Sequence, residues 1–198
     1  MKHARKALAV GCSLPLLAAG IMLASCNTSP VSPLREGDAI VFPSVWGKNL
    51  LGDRVNFPDD IKGTPTLVLV AFYQPQQTEV NTWLDRIPDL EAAIPDLRVI
   101  ETPTIKGAQW GLMAPYIDGA MRSGIPDPEA RARTITLYTH TRRFREALGL
   151  GPDDRIYALL LDRGARLIHT EEGPLDAEKF ARTIEAARAL PAAPGSHP

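Results

Sequence analysis

Thr66-Leu67-Val68-Leu69-Val70-Ala71-Phe72-Tyr73 is an unbroken apolar, β-branched run of strand length. A strand with one face in water alternates apolar and polar residues. This one does not, so it is expected to be buried on both faces, at the centre of a parallel or mixed sheet. From Gln76 to about Ala93 the pattern changes to helical spacing, with Val80, Trp83, Leu84, Ile87 and Leu90 along one face. Pro88 is expected to kink that helix or split it in two.

Outward from this pair, strands and helices keep alternating. Leu97 to Thr102 reads as the next strand, and Gln109 to Arg122 as a helix disturbed by Pro115. Thr134 to Tyr138 is a strand, Arg142 to Leu148 a short helix, and Ile156 to Leu161 a second buried strand. Asp162-Arg163-Gly164 then turns into Ala165 to Thr170, its hairpin partner. The last element is a helix from the N-cap Asp176 to Leu190, with Ala177, Phe180, Ile184 and Ala187 on its inner face. Before all of these, Ile40-Val-Phe42 and Asp53-Arg-Val-Asn56 suggest a small hairpin. Short connections place the strands in one mixed sheet with helices on both faces, an α/β three-layer sandwich with an N-terminal hairpin.

Two local phrases give that order a family likeness. Pro43-Ser-Val-Trp-Gly-Lys-Asn-Leu-Leu-Gly-Asp53 before Thr64-Pro-Thr-Leu-Val-Leu-Val-Ala-Phe72, and Leu159-Leu-Leu-Asp-Arg-Gly-Ala-Arg166, resemble the corresponding segments of thioredoxin-like domains. The resemblance covers about residues 42–190, and the domain is drawn at 38–190. In redox members a Cys-x-x-Cys pair opens the helix after the first buried strand, where the helix N-terminus makes the first thiol a nucleophile. Matching Phe72-Tyr73 to the family's Phe-Trp puts Gln77-Thr78-Glu79-Val80 on that motif, so Gln77 and Val80 stand in for the cysteines. The resemblance also implies a cis-proline before the Leu-Leu-Asp strand. Ile156 stands there, and Pro152 is four residues too early. The only cysteines are Cys12 and Cys26. Disulfide exchange and cysteine peroxidase chemistry therefore have no nucleophile in the domain. The reading is a non-enzymatic binding or assembly module, with a thiol-independent enzyme on the same edge as the alternative.

The edge that the missing pair leaves behind is Tyr73, Gln74, Gln76, Gln77 and Thr78. Its side chains offer amide donors and acceptors and one aromatic face, and the helix N-terminus is expected to offer free N–H groups to an anion. A second candidate surface is the segment 121–133 between a helix and a strand. There Arg122, Arg131 and Arg133 cluster near Asp118, Asp127 and Glu129. It reads as a solvated ion-pair loop or, through Arg122, Asp127, Arg131 and Arg133, as a docking loop for an acidic partner. This segment, with Trp46-Gly-Lys-Asn-Leu and the Asp162 hairpin, is loosely similar to the thioredoxin-like assembly-factor family that includes the mitochondrial ATP synthase assembly protein. That likeness implies chaperone or scaffold work.

No other chemistry has the residues it needs. His140, His169 and His197 lack metal-ligand spacing, and a copper site on this fold requires thiolates. Asp59-Asp60 and Asp153-Asp154 lack the spacing of a calcium loop. No phosphate loop, dinucleotide glycine pattern or Gly-x-Ser-x-Gly is present. Glutathione transferases share the fold without needing cysteine, but they append an all-helical domain for which this chain is too short. No cofactor and no metal are expected.

The N-terminus gives the compartment. Lys2, Arg5 and Lys6 precede an apolar stretch from Ala7 to Leu23, broken by Pro15, Gly11 and Gly20. That is the layout of a secretory signal rather than a spanning helix. Leu23-Ala24-Ser25-Cys26 resembles the bacterial lipobox, which implies acylation of Cys26. Residues 1–25 are then a lipoprotein signal peptide, 26–37 a Ser/Thr/Pro-rich tether, and 191–198 a disordered tail. Asn27, where inner-membrane lipoproteins often carry Asp, favours the outer membrane. The expected setting is the bacterial envelope, lipid-anchored and facing the periplasm, with a protein partner there. Loss of Lys2, Arg5 and Lys6 with residues 1–25 takes the formal charge from −1 to −4, and nothing in the chain shows the basic stripe that nucleic acid requires. Radiolabelled palmitate should enter the wild-type protein and not Cys26→Ser. Equal labelling of the two would remove the anchor.

Overall fold

The computed structural model describes residues 39–107 and 114–190. Cys26, the signal peptide, the tether and the tail lie outside them. Seven strands form one mixed sheet: β1 (Val45–Asn49), β2 (Arg54–Phe57), β3 (Thr66–Ala71), β4 (Arg98–Lys106), β5 (Ile135–Thr139), β6 (Tyr157–Leu161) and β7 (Leu167–Glu172). Their order across the sheet is β2-β1-β5-β4-β3-β6-β7. β3, β4 and β5 run parallel, β1 and β6 beside them are antiparallel, and β2 and β7 pair antiparallel with those. The helices are α1 (Gln77–Leu84), α2 (Ile87–Ala93), α3 (Ala114–Gly124), α4 (Pro128–Arg133), α5 (Thr141–Ala147) and α6 (Ala177–Ala187).

All six residues of β3 are buried, because β3 lies between β4 and β6 with a packed layer on each face. Leu67, Leu69 and Ala71 point into a cluster with Val80, Trp83 and Leu90 of α1 and α2, and Phe180 and Ile184 of α6 pack against it. Val68 and Val70 point the other way, into Phe42, Phe57, Ile100, Leu137, Phe144 and Tyr157. Each such aliphatic side chain stabilises the fold by about 1.5–3 kcal/mol when fully buried. Trp83 also ties the first layer together through its indole N–H, which donates to Gly173 O at 3.1 Å.

The hairpin exists, but with a different first strand from the one the sequence suggests. β2 pairs with β1, Val45 opposite Phe57 and Lys48 opposite Arg54. Ile40 to Phe42 run instead to the far side of the sheet. There Val41 bridges Arg166, Phe42 N donates to Ala165 O and Leu167 N donates to Ile40 O. Val-Trp-Gly-Lys-Asn carries little strand propensity. It forms a strand because it is the only layer between β2 and β5, and Gly47 permits the close approach.

Other elements differ in extent. The long helix is split: α1 ends at Leu84 and α2 begins at Ile87, so Pro88 falls in the first turn of a new helix, where its missing N–H costs nothing. β4 runs four residues further than expected, to Lys106, and α3 begins at Ala114. Residues 128–133 are a helix, α4, and not part of a loop. Its signal was present as Asp127-Pro128-Glu129, an N-cap followed by proline at the first helical position.

A Cβ at Gly47 would lie 2.5 Å from Thr136 O and 2.8 Å from Ile135 Cγ2. Gly47→Ala is expected to lower stability by about 1–3 kcal/mol through overpacking between β1 and β5, read as a shift in the urea midpoint. An unshifted midpoint would show that the two strands separate freely.

Candidate functional site

The carboxyl ends of the parallel strands bring Tyr73, the turn 74–77, the start of α5 and the loop 151–155 to one edge. Gln76 organises it. Its side chain is 6% exposed. Oε1 accepts from Phe72 N at 2.7 Å and Tyr73 N at 3.1 Å, and Nε2 donates to Asp153 O at 2.9 Å. The two N–H groups just past the end of β3 are thus already occupied by the chain's own amide. These two N–H groups precede α1 and so are not among those expected at the helix N-terminus, to which Pro75 contributes none.

The loop before β6 is held carbonyl by carbonyl. Arg145 Nη1 donates to Gly151 O, the Tyr157 hydroxyl to Pro152 O at 2.6 Å, and Gln76 Nε2 to Asp153 O. Tyr157 is buried edge-on against Phe72, with ring centroids 6.2 Å apart. Burial is the main cause that raises its phenol pKa. Tyr73 is 55% exposed; the Asp153 carboxylate beside its hydroxyl raises its pKa, with burial adding and Arg145 opposing. The one cis peptide among the described residues is Phe57–Pro58, so the bond before Ile156 is trans.

Of the five edge residues expected from sequence, Tyr73, Gln74 and Thr78 face solvent. Gln76 is buried as described. Gln77, at the first cysteine position, is half-buried, and its amide donates to Asn81 Oδ1 at 3.2 Å. Val80, at the second, is wholly buried in the core under α1. Behind Gln77 lies a residue the sequence reading passed over. Glu101, inside β4, is 4% exposed. Burial raises its carboxyl pKa, against the opposing effects of Gln77, Thr134 and Arg133. A single Glu in a strand otherwise rich in Val, Ile and Thr was the available signal.

The segment 121–133 is bound into the fold through its arginines. Arg122 Nε donates to Leu50 O at 2.7 Å, Arg131 Nε to Ile125 O at 2.6 Å and Arg131 Nη2 to Arg122 O at 2.9 Å. Asp127 caps α4 by accepting from Glu129 N and Ala130 N. Asp118 accepts from the Tyr138 hydroxyl at 2.9 Å. These arginines meet backbone carbonyls, so the ion-pair loop becomes a helix pinned by charged donors. His140 is exposed at the start of α5. His169, on the edge strand β7, meets Glu171 at 2.8 Å, while Arg182 holds the Glu171 carboxyl below the ordinary range. Among the described residues no three His, Cys, Asp or Glu side chains are placed to hold a metal ion. No described helix is long and apolar enough to cross a membrane.

Solved structures share this architecture. BsSco, a member of the Sco family of cytochrome c oxidase assembly proteins, superposes with a TM-score of 0.50 at 12% identity, covering 79% of this chain and 98% of its own. An uncharacterised conserved protein from Geobacillus kaustophilus does so at 0.50 and 15%, covering 80% and 86%. The exposed lipoprotein thioredoxin of Streptococcus pneumoniae gives 0.49 and 13%, covering 72% and 98%. The fold is thioredoxin-like. At these identities the likeness extends to the fold alone. No protein-family model matches the chain, and a search of curated proteins finds no significant match. The thioredoxin-like edge therefore has to be interpreted from its own residues, and those place Gln76 as its support. Gln76→Ala leaves two part-buried N–H groups and one carbonyl without their partner, at a total cost of about 1–3 kcal/mol. The urea midpoint should fall accordingly, whereas Gln74→Ala, at an exposed position, should leave it in place. Equal midpoints would mean that water replaces the amide.

Proposed function

We propose that this chain is a redox-inactive thioredoxin-like binding or assembly module of the bacterial cell envelope. A lipid on Cys26 tethers it, and the edge formed by Tyr73, Gln74 and Thr78 contacts a protein partner. The observation that carries this reading is the replacement of the dithiol. Val80 is part of the core, the Gln77 amide is engaged with Asn81, and no cysteine lies between residues 27 and 198. The fold's reactive position has become a packed and hydrogen-bonded one. The exposed Tyr73 ring beside the rigid loop 151–153 supplies a large contact area at little entropic cost, the property that suits an aromatic to an interface. BsSco, which shares the fold, is described as belonging to a family of assembly proteins; assembly work here would need the same kind of contact surface.

A thiol-independent enzyme on this edge is favoured by one observation, the perturbed acid Glu101 beside Gln77. At 4% exposure it is out of a substrate's reach in this arrangement, and binding is the better-supported reading.

A photo-crosslinking residue at Gln74 in the full-length protein should capture a discrete envelope partner. Tyr73→Ala combined with Thr78→Ala should cut that yield by about tenfold, the effect of losing an interface anchor. Capture at wild-type yield by the double variant would take this edge out of the interface.

A further inference from the structure

Three observations converge on the side chain of Glu101. The first is its isolation. Glu101 is 4% exposed, and among the described residues it makes no ion pair. The groups facing it are Gln77 from α1, Thr134 at the start of β5, and Arg133 from the end of α4. Arg133 is the weakest of the three influences and lies beyond ion-pair distance. An ionised carboxylate here has no counter-charge within ion-pair distance, a state that a buried acid avoids by keeping its proton.

The second is the hydrogen count at Thr134. Its hydroxyl stands 2.8 Å from Ala130 O and 3.4 Å from Glu101 Oε2. A hydroxyl has one hydrogen. The shorter contact takes it, so donation to Glu101 Oε2 is the weaker alternative, and a protonated Glu101 makes little demand on that hydrogen. An ionised Glu101 reverses the requirement: the carboxylate needs that hydrogen, and a charged acceptor outcompetes the Ala130 carbonyl.

The third is how α4 is held. It has six residues and buries none of its side chains. Its attachment consists of hydrogen bonds. The Asp127 cap holds one end, and Thr134 N and Oγ1 hold the other, both on Ala130 O. Leu50 N bonds to Arg131 O and Thr134 O, and the Arg131 guanidinium to Ile125 O and Arg122 O. With no apolar burial behind it, the helix is sensitive to each of these bonds.

We propose that Glu101 is a proton-operated latch on α4: protonated, it leaves the Thr134 hydroxyl on Ala130 O and the helix closed; ionised, it draws that hydroxyl away and loosens the segment that carries Arg131 and Arg133. The direction in pH is fixed. Folding raises the Glu101 pKa above its ordinary 4.5. The folded chain therefore holds this proton more tightly than the unfolded chain does. Its contribution to stability is complete at acid pH and is lost as pH rises from the ordinary carboxylate range through the raised value. Thr136, two residues beyond Thr134 and in β5, has a buried hydroxyl with no partner among the described residues and would be the rival donor. If it answers the carboxylate, α4 stays closed.

The test is hydrogen exchange on the full-length chain, with α4 amides corrected for intrinsic rates between about pH 5 and pH 8. Wild-type protection over 129–134 should fall by about tenfold across that range while β3 stays protected, the signature of local rather than global opening. Glu101→Gln, which keeps the shape and cannot ionise, should hold α4 protection level. A flat wild-type profile, or an equal fall in Glu101→Gln, overturns the latch. Should Glu101→Gln fail to fold, carbon NMR of the wild-type Glu101 carboxyl decides: a midpoint in the ordinary range, near 4.3, overturns it, and a raised midpoint that coincides with the α4 opening supports it.

Discussion

A single buried amide fixes the end of this molecule where the parallel strands stop. Gln76 reaches back to the two N–H groups just past the end of β3 and across to a carbonyl of a loop 77 residues away. Without it the central strand would end on two unpaired donors, and nothing would register the turn into α1 against the loop before β6. A side-chain amide suits this task because it is donor and acceptor at once. The exposed residues Tyr73 and Gln74 rest on this hydrogen-bonded base.

The sheet itself is unequal on its two faces. One is filled by aromatic and aliphatic side chains over its whole width, from Phe57 to Ala165. The other is apolar under α1, α2 and α6 but turns polar where β4 meets β5, at Glu101 and Thr134. An apolar layer holds its helices by area. The polar part holds α4 by directed bonds, several of them from arginines. Stability and responsiveness are thereby assigned to different parts of one face.

The contrast explains what the sequence discloses. β3, β6 and the face of α6 are legible because burial writes itself as composition and period: Leu-Val-Leu-Val-Ala cannot sit in water, and Phe180 and Ile184 recur at helical spacing. β1 is obscure because Gly47 answers the close spacing to β5 and Asn49 the turn that follows, rather than strand preference. The misassigned role of Ile40 to Phe42 has the same origin, since an apolar triplet does not say which edge of a sheet it will join. In the site, the absence of thiols could be read directly. The roles of Gln76, Arg145 and Tyr157 could not, because each binds a backbone carbonyl, which leaves no mark in the partner's residue type; for Gln76 that partner is also 77 residues away. The helix in 128–133 carried its own signal and was hidden by the charges around it.

The loop before β6 has a consequence for how selective this edge can be. Its carbonyls at 151, 152 and 153 each receive a side-chain donor from within the domain, and the N–H groups of Phe72 and Tyr73 face inward to Gln76. A visiting polypeptide that relied on main-chain ladders, and so on no particular sequence, finds those positions answered. What remains outward is an aromatic ring, an amide and a hydroxyl. For the proposed binding role, this would place recognition mainly in the visitor's side chains, an arrangement that favours few clients over many.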